Sequence, residues 1–143
     1  MRVKVYIETS PRYGRIKKGM YYYILEYIRP DGTPVTADGY GYEESTTQDR
    51  LWIHAMIDAI KRIKPKAAAT FISQNPHIYG ILKEKWYERW FKEPAKTLCK
   101  NADLWSEFLT LSKDRVIDVS DEPNTYKPAM KQFIKDKEER EYK

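Results

Sequence analysis

The sequence predicts an α/β domain in which a mixed five-stranded sheet carries helices on its faces. Two observations predict it. Three strand-like runs follow one another near the start of the chain with short connections, which favours antiparallel pairing. Two later strand-like runs are each preceded by helical segments, which permits parallel crossovers. The expected element order is β-β-β-α-β-α-α-β-α.

The first run, residues 3–8, leads into "VYIETSP", residues 5–11, where apolar and polar positions alternate until Glu8, followed by Thr9 and Ser10. A carboxylate at such a strand end is either a solvated terminus or a candidate metal ligand. Residues 20–28 and 35–42 supply the next two strands, joined by "RPDGTP", in which Pro30 presets φ and Gly32 is free to take positive φ. "GRIKKG", residues 14–19, is expected to be the other short connection. A helix is expected over residues 47–63. There Leu51, Ala55, Ala59 and Ile63 repeat at four, and Ile53, Met56, Ile57 and Ile60 widen the stripe. Ser45 and Gln48 form a candidate capping box, and Pro65 closes the segment.

"KAAATFIS", residues 66–73, is a short apolar run suited to a buried parallel strand. Residues 76–91 return to helical spacing, with Pro76 in the first turn and Ile78, Ile81, Leu82 and Trp86 on one side. Asn101 is the expected cap of a helix whose core face is Leu104, Trp105, Phe108, Leu109 and Leu111. Residues 115–120 give the fifth strand. A last helix starts near residues 123–127 and runs through Met130, Phe133 and Ile134 into a charged end.

With 143 residues the chain has the length of one domain, 1–143, and a domain of this size buries roughly 70% of its unfolded surface. The single cysteine, Cys99, cannot form an internal disulfide, and no signal-like segment opens the sequence. Charged residues make up 33%, mean hydropathy is -0.77, and no apolar run approaches the ~20 residues of a membrane span. A cytoplasmic domain without membrane contact is expected. A net charge of +5 favours polyanionic partners. The charge is polarised. Residues 83–100 hold Lys83, Lys85, Arg89, Lys92, Lys96 and Lys100 against Glu84, Glu88 and Glu93, interleaved with Trp86, Tyr87, Trp90 and Phe91. Residues 114–122 hold Asp114, Asp118, Asp121 and Glu122 against Arg115. The basic stripe is either a solvated helix whose tryptophans pack on the sheet or a phosphate-binding surface. His54, His77 and Cys99 have no evident nucleophile or ligand partner in the pattern.

"KNADLW", residues 100–105, is similar to the K-N-V-D-L-W of type 1 ribonuclease H, a family this chain resembles. "TTQDRLWIHAMIDAI" resembles T-T-N-N-R-M-E-L-M-A-A-I-V-A-L at Thr46, Thr47, Arg50, Ala55, Ile57 and Ala59. "YYYILEY" resembles Y-G-A-I-L-R-Y at Tyr21, Ile24, Leu25 and Tyr27, and "WYERWFKEPAKTLCKN" resembles the basic protrusion that holds an RNA/DNA hybrid. The resemblance implies a ribonuclease H-like fold, and hydrolysis of the RNA strand by two magnesium ions held on four carboxylates.

At those four positions this sequence departs from the pattern. Glu8 replaces the first-strand Asp, Trp52 the helix Glu, and Gln74, or Ile72 under a different gap, the fourth-strand Asp. Pro128 replaces the last Asp if Asn124 matches the family's Asn. The family's product-release loop, with its His, reads "SDEPN" here. The expectation is a catalytically degenerate domain, a pseudoenzyme with Glu8 as a remnant and no cofactor. It binds nucleic acid (RNA/DNA hybrid or duplex) or a protein partner through Lys83, Lys85, Trp86, Arg89, Trp90, Lys92, Lys96 and Lys100, with Gln48 at a groove-reading position. The alternative expectation is a magnesium- or manganese-dependent endonuclease with a rearranged site of Glu8, Asp118 and Asp121.

Overall fold

Strand β1 (Arg2–Thr9) pairs on both of its edges, and this places it at the centre of the sheet. It runs antiparallel to β2 (Ile16–Ile28), with Glu8 opposite Tyr22, and parallel to β4 (Ala68–Ile72), with Tyr6 opposite Ile72. β3 (Pro34–Thr46) pairs antiparallel with β2, and β5 (Val116–Ser120) parallel with β4. The order is β3-β2-β1-β4-β5, the mixed sheet that the sequence predicts. The computed structural model describes residues 2–10, 16–91 and 100–141.

The two sheet faces are built from alternate residues of the same strands. Val3, Val5 and Ile7 with Ala69 and Phe71 face the larger core, beneath α1 (Gln48–Lys61) and α4 (Ala102–Ser112). Tyr6, Tyr22, Ile24 and Ile72 face the other way and are covered by Met130 and Ile134 of α5 (Lys127–Glu141). Period-two alternation is what allows one strand to serve both layers.

Four local expectations are corrected. "GRIKKG" is not wholly a connection: β2 begins at Ile16, and its ladder with β3 extends to Thr46 because Ile16 is buried beneath α1. Gly19 within that stretch is required by close approach, since a Cβ there would sit 2.7 Å from a methyl of Leu51. The capping box of Ser45 and Gln48 does not form. Thr47 is the N-cap, accepting from the Arg50 amide at 3.2 Å, and Ser45 takes a positive φ of 49°.

The single helix expected over residues 76–91 is broken at Lys85, whose φ of 53° and ψ of 42° are left-handed. The break separates α2 (Pro76–Lys83) from α3 (Trp86–Trp90). It turns Tyr87 into the core, stacked on Trp105 at 6.0 Å and edge-on to Phe108 at 5.1 Å, and leaves Trp86 39% exposed. Burying a large aromatic outweighs the ~1–2 kcal/mol of left-handed backbone at one residue. Asn101 also adopts positive φ and makes no side-chain cap. Among the described residues no helix is long and apolar enough to cross a membrane.

Candidate functional site

The parallel strands β1 and β4 end side by side, and the segments leaving them enclose a pocket of about 280 Å³. Glu8 comes from the end of β1, Trp52 from the first turns of α1, Ile72 from the end of β4, and Gln74 from the loop that follows. Asn124 and Lys127 approach from the start of α5. Strand carboxyl ends are where open α/β sheets form crevices, because the chain must leave the sheet there in different directions. Positions 8 and 52 and the neighbouring pair 72 and 74 are far apart in sequence and share this one space. Pro128 is the second residue of α5, directly after Lys127.

Glu8 is half-buried, and its carboxylate accepts a hydrogen bond from the Asn124 side-chain amide at 3.2 Å. Burial pushes its pKa above the ordinary glutamate value. The Asn124 hydrogen bond and the charges of Lys127 and Lys131 pull against that shift without cancelling it. Gln74 donates its amide to the Asp121 carbonyl at 3.2 Å. Asn75 caps α2 by accepting from the His77 amide at 2.9 Å, and Trp52 packs against the larger core.

The rearranged set of Glu8, Asp118 and Asp121 does not converge. Asp118 pairs in register with Thr70, which lies opposite Lys4. It is therefore four residues, or ~13 Å, along the sheet from the level of Glu8. Its carboxylate is held by Arg2 at 2.8 Å. Asp121 meets the pocket residue Gln74 only through its backbone carbonyl. Glu122 does line the pocket, but Lys4 holds it at 2.9 Å and pulls its pKa below the ordinary value, and Ser120 donates to it at 3.0 Å. Among the described residues, no group of three or more His, Cys, Asp and Glu side chains is placed to hold a metal ion. Two hard dications need several oxygen anions. One desolvated glutamate, one lysine-paired glutamate and neutral amides do not fit that demand.

The basic stripe is partly described. Lys83, Lys85, Arg89 and Lys100 are exposed, while Lys92, Lys96 and Cys99 lie outside the described residues. The two tryptophans diverge: Trp86 is exposed, whereas Trp90 lies edge-on to Trp105 at 5.9 Å. Arg89 donates to the Glu84 carbonyl at 2.9 Å, which braces the turn between α2 and α3. Gln48 donates its side-chain amide to the Ser10 carbonyl at 3.0 Å, which ties the start of α1 to the end of β1. Tyr22 and Tyr23 are buried, with Tyr22 stacked on Phe133 at 4.0 Å and bonded to Asp38 at 2.6 Å.

Sequence reasoning missed the role of Arg50. Its guanidinium bonds Glu43 at 2.5 Å and Asp103 at 3.0 and 2.7 Å, tying β3, α1 and α4 together. Glu43 also meets His54 at 3.2 Å, and His54 stacks on Tyr21. The motif match at Arg50 marked the residue without revealing its partners. Lys127 as a pocket residue carries no signal in the sequence, where the family's carboxylate position falls on its neighbour Pro128.

Element order, sheet register and the pocket at the ends of β1 and β4 define a type 1 ribonuclease H-like fold. The comparisons with known proteins agree. Ribonuclease H of Thermoanaerobacter sp. (strain X514) is 33% identical over 81 residues, which are 54% of this chain and 52% of that protein. The chain thus spans about half the length of the curated relatives it matches. Among solved structures, LC9-RNase H1, a type 1 RNase H with the type 2 active-site motif, matches with a TM-score of 0.65 at 21% identity, over 94% of this chain and 69% of that one. The foamy viral protease-reverse transcriptase in complex with an RNA/DNA hybrid matches with a TM-score of 0.62 at 14% identity, over 93% of this chain and 19% of that one. No protein-family model matches the chain.

Proposed function

We propose that this chain is a ribonuclease H-like domain that binds an RNA/DNA hybrid without hydrolysing it. The observation that carries the reading is the make-up of the pocket, where Glu8 stands with Trp52, Ile72 and Gln74, and the second carboxylate of the lining, Glu122, is held by Lys4 at 2.9 Å. Two divalent ions bring four positive charges, and one glutamate whose ionised form is disfavoured by burial does not balance them. Lys83, Lys85, Arg89 and Lys100 are exposed and Trp86 is 39% exposed, and cations with aromatic surface suit a nucleic-acid backbone. Binding of a hybrid by the foamy viral neighbour, and the ribonuclease H relatives, support the same substrate class. A single cysteine fits a reducing, cytoplasmic setting for such a domain.

The test is an electrophoretic shift with hybrid, double-stranded DNA and single-stranded DNA probes of equal length at two salt concentrations. The expected result is a hybrid shift that weakens with salt and leaves the RNA strand intact. Absence of a shift with every probe contradicts the reading and favours a domain that engages a protein partner.

A further inference from the structure

Given that proposed function, we infer that Lys127 holds a backbone phosphate of the bound hybrid at the mouth of the Glu8 pocket, so that engagement there needs no divalent ion. The pocket's charges point this way. Glu122 is neutralised by Lys4 at 2.9 Å, which leaves Glu8 and Lys127 as the remaining charged groups of the lining. Lys127 is exposed and close enough to influence Glu8 through space, yet it makes no ion pair among the described residues. Glu8 accepts instead from the neutral Asn124 amide. An ammonium that lines a polar pocket without a carboxylate bound to it is available to an anion from outside.

The pocket's size and position agree with such a visitor. A space of about 280 Å³ accommodates a phosphodiester with its flanking sugar, and Gln74 and Asn75 add polar atoms along its rim. Lys131, one turn further along α5, adds a second positive charge that Glu8 senses. The position following Lys127 is Pro128, so the first turn of α5 presents a cation and no carboxylate to the pocket.

The experiment measures hybrid affinity by fluorescence anisotropy for the unaltered chain and for Lys127→Gln, Lys127→Arg and Glu8→Gln, each with EDTA and with magnesium. Lys127→Gln is expected to weaken binding about 3- to 10-fold and to flatten the log-log salt slope by about 0.9, while Lys127→Arg keeps both. Glu8→Gln is expected to tighten binding about threefold by removing a like charge beside the phosphate. Magnesium is expected to leave affinity unchanged or to lower it. An unchanged Lys127→Gln, an arginine variant as weak as the glutamine variant, or a magnesium-driven tightening lost in Glu8→Gln overturns the inference while hybrid binding itself stands. Failure of the unaltered chain to bind hybrid overturns both this inference and the function it rests on.

Discussion

Raising salt around the hybrid complex probes the binding surface, and its effect can be worked out from the exposed cations. Lys83, Lys85, Arg89 and Lys100 stand on or beside α2, α3 and the turn before α4, all solvent-exposed. Each phosphate neutralised releases condensed counterions, so the four contacts of this surface contribute about -3.6 to the slope of log K against log salt, beside the contribution of about -0.9 from Lys127. Between about 50 and 200 mM salt the contribution of these four lowers affinity roughly 150-fold. Glu84 and Glu88 lie among these cations and work against binding, so Lys85→Glu should reduce both the affinity and the slope, the slope by about 0.9. Fluorescence anisotropy with a labelled hybrid across that salt range reads all of these quantities. A slope shallower than about -1, or a Lys85→Glu variant indistinguishable from the unaltered chain, refutes the assignment of this surface to phosphate contact.

Further predictions separate binding from packing. Trp86→Ala should weaken hybrid binding with little change in Tm, whereas Trp90→Ala, which removes the edge contact with Trp105, should lower stability by about 1–3 kcal/mol in urea unfolding. Equal Tm losses in both variants would show that Trp86 is merely a packing residue. Arg50→Ala should cost on the order of 1–2 kcal/mol, mainly because Glu43, whose side chain is only 17% exposed, loses its guanidinium partner; the more exposed Asp103 contributes less. Denaturant titration checks it, and a change below a few tenths of a kcal/mol contradicts the clamp. Glu8 has a raised pKa in the folded state, so its contribution to stability is fully present below its unfolded pKa and is lost as pH rises through the folded value. Glu8→Gln should therefore be more stable than the unaltered chain at pH near 7, with the difference closing as pH falls towards about 4. Urea midpoints at the two pH values decide, and a glutamine variant less stable at neutral pH counts against the sign.

The strands and the long helices were legible because their signals are local. Alternation in residues 3–8 and the four-residue repeat from Leu51 to Ala59 each reflect burial of one face, and the structure buries those faces. Capping and helix breaks were less legible. Thr47 and Ser45 carry the same hydroxyl, and only the backbone path out of β3 selects Thr47 as the cap. The break at Lys85 has no glycine or proline to announce it, since what drives it is the burial of Tyr87 between Trp105 and Phe108, a long-range contact. Of the four positions marked by the family resemblance, Glu8, Trp52 and Gln74, with its alternative Ile72, share one space, whereas the fourth, Pro128, does not line it and its neighbour Lys127 does. The pocket's charge balance was not legible, because the Lys4 to Glu122 pair and the placement of Lys127 arise from segments more than 100 residues apart.

Whether the domain binds a hybrid without hydrolysing it is tested by incubating an end-labelled RNA/DNA hybrid with the chain in excess, in magnesium and separately in manganese, with binding and strand integrity followed in the same sample. A retained complex whose RNA strand stays full length in either metal is expected. Metal-dependent RNA cleavage that disappears in Glu8→Ala would contradict it.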